Sequence, residues 1–431
     1  MIKAGFSRVD VTPPLGAHLA GYYQDRIAKG ILDPIYLNAI AFSDDNETVV
    51  WVTADFLNIR MENCNEIRTH IAKRLGIKTK NVMVSCLHQH TSIILASRTG
   101  DTSIYTDHSY IDLLIRKFCD VAEMAVNDMK EATMFVGEQE AAEKIAFIRR
   151  YLMKDGTIVT NPGRGKQDLI ERPLDDSDNT IRLIRFKRED GDIALVNFST
   201  HPDVIGGEYY SADWPGFVRT NVEREIEGSR CIVINGVEGD SNHLNFQSEN
   251  IPRKGTAHSK FMARVITDAV HKIWNDAKEV KVEKLVSKTD IVYSKTRIDG
   301  IERYDECCKF WDDYYAGKIT DPKEMKKIAD AGRVKSLLAA PIYQRLPLST
   351  VDFGKVAIVG FGGEPFTHYA TSVREACPDK YIIAACCTNG GEGYLPTAKA
   401  LKEGGYEADR SLFTEVLEGE CVEMAKKMLE E

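Results

Sequence analysis

Two stretches of this chain share one layout, and that layout constrains the fold more than any other feature. In each, an apolar strand is followed by a helix and then by a second apolar strand that ends in polar residues. The first runs from Val49 to His90. It joins the β-branched run Thr48–Ala54, helical spacing over Asn63–Leu75 (Ile67, Ile71, Leu75, closed by Gly76), and the strand Asn81–Cys86 leading into Leu87-His88-Gln89-His90. The second runs from Val356 to Tyr394, with strands over 349–361 and 381–387 around the helix Thr367–Ala376, and it ends at Thr388-Asn389-Gly390-Gly391. Parallel strands joined by a helix need a helix-covered sheet, which predicts an α/β protein. Ligands of such sheets gather at the C-terminal strand ends, where these polar residues lie.

The rest of the chain fills in the same class. Strands are expected at Ala39–Phe42, Thr133–Gly137, Arg182–Phe186, Ala194–Ser199 and Cys231–Ile234. Helices are expected at Ser109–Asn127, Gly216–Ile226 and Ser259–Asp276, Val280–Tyr293 is β-rich, and the Gly/Pro/Asp-rich stretch 155–180 reads as a loop. Residues 301–337 are charged and helical, with Phe310, Trp311, Tyr314 and Tyr315. They read as a helical insertion or lid, or as plain solvated helix. No low-complexity linker interrupts the chain, so one domain over 1–431 is expected.

Composition removes several function classes. Of 431 residues, 43% are hydrophobic and 28% charged, an ordinary globular balance. The net charge of −9, with no lysine/arginine cluster, sets nucleic acid aside. The longest apolar runs, Val356–Gly360 and Tyr381–Cys387, are too short to insert in a membrane. The N-terminus has no apolar signal core, and the ten cysteines lie mostly in apolar segments without a CxxC, which fits buried free thiols in a reducing cytoplasm. A small-molecule substrate is the expected partner, and homo-oligomer formation stays open.

The strand ends carry the candidate chemistry. His88 and His90, two apart on a strand, face the same side and can share one metal, or one can bind while the other handles a proton. His201 closes another apolar strand before Pro202. The Gly-rich turn Asn235–His243 holds Glu238, Asp240, Asn242 and His243 behind a buried strand. Glu364 sits between Gly363 and Pro365 just before a helix, where it is either a fixed metal ligand or a carboxylate facing the helix dipole. Asn389-Gly390-Gly391-Glu392-Gly393-Tyr394 presents a phenol on a shaped loop, and Tyr406 follows Gly404-Gly405 in a similar setting. Zinc chemistry uses nitrogen and oxygen ligands with one open position, and His88, His201, Glu364 and Tyr394 could supply such a set. His368 reads as a structural helix residue, and His18, His70, His108, His258 and His271 lack comparable contexts.

Taken in order, these motifs resemble the neutral/alkaline (non-lysosomal) ceramidase family. The resemblance covers the opening Ala4–Pro14 through Ala20-Gly21-Tyr22, the HxH at 88–90, Ser199-Thr200-His201-Pro202, Gly239-Asp240, Gly363-Glu364-Pro365-Phe366-Thr367 and Gly393-Tyr394. It implies mixed β-sheets flanked by helices, as in a ceramidase catalytic domain, here without the family's C-terminal immunoglobulin-like domain. It also implies a zinc-dependent amidase with His88, His201, Glu364 and Tyr394 as ligands, His90 as a second active-site histidine, and Arg150 as an active-site arginine. The chain departs from the family at Asn242-His243, where ceramidases carry Ser-Pro, and in lacking a secretion signal. These two departures, together with the absence of the immunoglobulin-like domain, are expected to weaken ceramide as the substrate.

The expected function is therefore zinc-dependent hydrolysis of an amide in an N-acylated small polar molecule. His90 would shuttle the proton, Arg150 or Tyr406 would stabilise the oxyanion, and His243 is a further catalytic candidate. Asn242 and Asp240 are expected to touch substrate. Ester or lactone cleavage, or an elimination, at the same centre is the alternative chemistry, and a non-catalytic ligand-binding homologue is the alternative class.

Overall fold

The computed structural model describes residues 2–95, 108–252, 254–321, 324 and 327–430. The side chain of His108, expected to be inert, lies outside the described residues, as do positions 322, 323, 325 and 326 of the charged helical stretch. The strands of the first sheet are β1 (Ile2–Asp10), β2 (Tyr36–Ser43), β3 (Thr48–Ala54), β4 (Val82–Cys86), β5 (Lys130–Glu140), β6 (Thr180–Lys187), β7 (Ile193–Phe198) and β8 (Arg230–Asn235). Their spatial order is β8-β7-β6-β5-β1-β2-β3-β4, and the short strand Lys278–Val280 also pairs with β5. The second sheet takes β9 (Val286–Lys295), β10 (Tyr343–Asp352), β11 (Val356–Phe361) and β12 (Tyr381–Ala385) in chain order. The helices are α1 (Met61–Leu75), α2 (His108–Asn127), α3 (Asp213–Glu225), α4 (Thr256–Asp276), α5 (Tyr304–Tyr315), α6 (Ile328–Ser336), α7 (Thr367–Ala376), α8 (Ala398–Glu403), α9 (Tyr406–Arg410) and α10 (Leu417–Glu430).

Why two sheets stack is legible in the period-two pattern of each strand. On β2, Leu37, Ala39 and Ala41 join the core under α1 and α2, while Ile40 and Phe42 turn to the opposite core. On β7, Ala194 and Val196 pack with α3 and α4, while Ile193 and Leu195 turn the other way. On β11, Ala357 and Val359 pack under α7 and α10, and Val356 and Ile358 meet the first sheet. Strands apolar on both faces are what a buried sheet requires. The result is four layers, helix–sheet–sheet–helix. The inter-sheet layer centres on Phe42, whose ring lies 5.1 Å from those of both Phe186 and Phe353. The α/β class with mixed sheets and flanking helices is therefore observed.

Three strand–helix–strand crossovers carry the parallel pairs of the two large sheets: β3-α1-β4, β7-α3-β8 and β11-α7-β12. The sequence shows the first and third as units and the middle one only as separate pieces, because a long loop precedes α3. Two expectations are corrected. The stretch 155–180 is only partly loop: Ile158–Thr160 and Ile170–Pro173 flank Arg150–Met153 in a three-stranded sheet. These strands are too short and polar for their periodicity to show. The strand over 349–361 is two antiparallel strands, broken at Gly354 (φ +101°), whose N–H donates to the Asp352 carboxylate. The charged segment after Gly300 folds as α5 packed on α6, with Cys307, Ala331, Val334 and Leu337 buried between them, and α6 rests against α9. Among the described residues no helix is long and apolar enough to cross a membrane, and all ten cysteines are unpaired.

Candidate metal centre

The C-terminal ends of β4, β7, β8, β11 and β12 converge between the two sheets. Asn389, just past β12, clamps them: its backbone N–H and side-chain oxygen pair with Val84 of β4, and its amide donates to Ser349 of β10. Two close approaches bring the loops together. A Cβ on Gly239 would lie 2.3 Å from the Glu364 carbonyl oxygen, and one on Gly21 (φ +102°) 2.6 Å from His90 Nδ1, so both positions need glycine.

His88 occupies the left-handed backbone region (φ +68°), which a non-glycine residue adopts at a cost of about 1 kcal/mol or more. Its ring is aimed by that turn. Nε2 of His88 lies 3.5 Å from Glu364 Oε2, and Nε2 of His201 lies 3.6 Å from the same oxygen. A tetrahedral ion bound at about 2.05 Å spaces its ligand atoms by roughly 3.3 Å. Glu364 Oε2 and His201 Nε2 are buried and bonded to no protein atom. Buried polar atoms without protein partners are costly, and these two, with His88, form a donor set that could hold a metal ion.

The far side of each imidazole is held. His201 Nδ1 donates to the Glu238 carbonyl oxygen at 2.8 Å and lies 3.2 Å from its carboxylate. His88 Nδ1 is 3.9 Å from the same carboxylate and 3.8 Å from Cys387 Sγ. Carboxylate behind imidazole behind metal is a recurring way of fixing ligand tautomer and orientation. Burial, then the Arg149 charge, holds His201 well below the usual histidine range, so it is neutral as a ligand must be. At His88 burial acts the same way, but Glu238 and Glu364 outweigh it and push the ring upward. The carboxylates thus create a point that favours positive charge. Tyr394 sits beside Glu364 because Glu364 and Tyr394 pair in parallel, and its ring stacks on His201 at 6.4 Å.

His90 adjoins this set. Its ring is 5.2 Å from that of His88 and 5.6 Å from that of His201, and neither ring nitrogen has a protein partner. Burial and then His88 hold it well below the usual range. Tyr406 packs edge-on to Tyr394 at 5.7 Å.

The other expected site residues fall elsewhere. Arg150 turns away: its guanidinium donates to the Gly404 carbonyl and sits 3.3 Å from Glu403. Its neighbour Arg149 lies 5.2 Å over the Tyr394 ring and pairs with Glu407 at 2.7 Å. Arg149 lies just before the strand that Arg150 opens, and the two side chains reach different neighbours. Asp240 accepts two bonds from Thr367 and fixes the start of α7; burial raises it to about 6. Both side-chain atoms of Asn242 are used internally, donating to Asn161 and accepting from Leu244 N–H. His243 lies outside the cluster, 3.3 Å from Asp203, which also binds Lys254 at 2.8 Å. Sequence reasoning named Glu238 only as part of a turn; its position just past a buried strand was the available signal.

The fold of the chain is like that of the neutral ceramidases. In particular, the chain matches the neutral ceramidase from Pseudomonas aeruginosa with a TM-score of 0.74 at 14% identity, covering 99% of this chain and 74% of that one. A ceramidase complexed with C2 matches with the same values. No family model and no curated protein matches the sequence.

Proposed function

We propose that His88, His201, Glu364 and Tyr394 hold a zinc ion and that the chain hydrolyses the amide bond of an N-acylated small polar molecule. The observation that carries this reading is the cluster of two imidazole nitrogens around one carboxylate oxygen, in which Glu364 Oε2 and His201 Nε2 are buried and lack protein partners. The likeness to ceramidases, whose substrate bond is an amide, supports the reaction class. When bound, zinc supplies a Lewis acid for the carbonyl and lowers the pKa of a water beside it. His90, neutral and free at both nitrogens, takes the proton of the attacking water and delivers it to the leaving amine. Arg149 and Tyr406 flank Tyr394 and offer donors to the oxyanion. Glu238 holds the His201 ring so that Nε2 keeps its lone pair for the ion. The unpaired cysteines support a reducing, cytoplasmic setting.

The test is metal analysis of the purified chain together with amine release from a panel of N-acyl compounds and matched esters. Stoichiometric zinc, lost in His88→Ala and Glu364→Ala, and amide turnover are expected. A protein that takes up no zinc, or whose zinc survives His88→Ala, overturns the centre. Turnover of esters alone overturns the amide assignment.

A further inference from the structure

Arg410, at the end of α9, is a charged group near Tyr406 and Tyr394 that finds no hydrogen-bond or ion-pair partner among the described residues. It makes no hydrogen bond and no ion pair with any described residue, and its contact is with the Tyr23 ring, 5.8 Å from the guanidinium carbon. It is exposed, yet it is not an ordinary surface arginine. The insertion packs around it: a Cβ on Gly332 of α6 would lie 2.9 Å from Arg410 Nη1 and 2.3 Å from the Trp311 ring of α5. Aromatic rings lead inward from this point. Tyr314 of α5 meets Tyr23 edge-on at 6.5 Å, the Tyr23 and Tyr406 hydroxyls are 3.5 Å apart, and Tyr406 packs on Tyr394. By contrast Arg149, deeper in, is neutralised by Glu407 and donates to the Gly239 carbonyl.

We infer that Arg410, framed by Tyr23 and Tyr406, binds an anionic group on the substrate, so that the preferred N-acyl compound carries a carboxylate or phosphate beside the scissile amide. This rests on the hydrolase reading above. The planar guanidinium offers paired N–H donors that match either oxyanion, and the tyrosine hydroxyls can extend the set. The segment containing α5 and α6 then does more than cover the protein, since it forms the wall that holds the guanidinium in place.

The experiment uses the full chain loaded with zinc and two matched probe pairs: N-acetylphenylalanine with its uncharged amide, and N-acetylglucosamine 6-phosphate with N-acetylglucosamine. Amine release gives kcat/KM, and calorimetry gives Kd for each probe. The charged member of one pair is expected to be favoured about ten- to a hundredfold; which pair shows it separates carboxylate from phosphate. Arg410→Met should bring that ratio close to one, and Arg410→Lys should keep part of it, with zinc content and melting temperature as controls for folding. If no probe is turned over, the hydrolase reading fails, while the calorimetric ratio still decides this proposal. No preference for a charged probe by either readout overturns it, as does a preference that survives Arg410→Met.

Discussion

Replacing Glu238 by glutamine tests whether the centre depends on a group that never touches the ion. Glu238 is fully buried, with its carboxylate 3.2 Å from His201 Nδ1 and 3.9 Å from His88 Nδ1. Losing such an outer partner weakens metal binding by about 10- to 100-fold. His201 Nδ1 also donates to the Glu238 backbone oxygen at 2.8 Å, which the substitution leaves in place, so its tautomer survives. The loss should therefore fall near tenfold, or about 1.4 kcal/mol. Metal-free stability should move the other way. Burial raises the Glu238 carboxyl well above its ordinary range, which means that ionisation is disfavoured there, and a neutral amide carries no such penalty. Zinc competition against a chelator, with melting curves in excess chelator, reads both quantities. Unchanged affinity in Glu238→Gln would refute the orienting role. A loss as large as that of Glu364→Gln would make Glu238 a direct ligand and redraw the site.

Arg219→Met should cost about 3–5 kcal/mol in urea unfolding, because it strands the buried Asp55 carboxylate, which Arg219 grips at 2.7 and 2.5 Å; a loss under 1 kcal/mol would show that the pair contributes little. Gly239→Ala should lower stability by about 1–3 kcal/mol and also weaken zinc binding, since the new methyl meets the Glu364 carbonyl. An unchanged zinc affinity would show that the strap bearing Glu364 shifts freely. Burial, with His243 beside it, lowers His258 to about 4. The unfolded chain takes up that proton near pH 6.5 and the folded one only near 4, so stability should fall as pH drops through this window. His258→Asn should flatten the slope; an equal slope in the variant assigns it to other groups.

Much of the fold was readable because its strands are apolar at nearly every position, and the helices between them carry clear spacing. The cluster of His88, His201 and Glu364, which could hold a metal, was readable for a related reason. His88, His201 and Glu364 each follow directly on an apolar strand, and polar residues in that position need a purpose. Arg149 and Arg150 were not separable, because they lie in a run of very short strands where nothing in the sequence fixes which side faces inward. Asp240 and Asn242 looked like substrate contacts because polar residues in a Gly-rich turn look the same whether they meet a ligand or the neighbouring loop. Here they bind Thr367, Asn161 and Leu244. Arg410 gave no signal, since its setting depends on α5 (Tyr304–Tyr315) and α6 (Ile328–Ser336), far earlier in the chain, folding back against it.

The centre draws its residues from two sheets, so its precision depends on how those sheets register. His88 and His201 end strands of the first sheet, and Glu364 and Tyr394 follow strands of the second. A shift of one sheet against the other by even half an ångström would open the triangle of Nε2 and Oε2 atoms. Close-packed aromatic layers resist such sliding, because interlocked side chains have few alternative arrangements. The Phe42–Phe186–Phe353 contact therefore belongs to the function as much as to the stability, and Asn389 adds a direct hydrogen-bonded tie between the sheets beside the ligands. A site assembled in this way would need a rigid core before it could hold an ion, which fits candidate ligands placed just past strand ends and not on long loops.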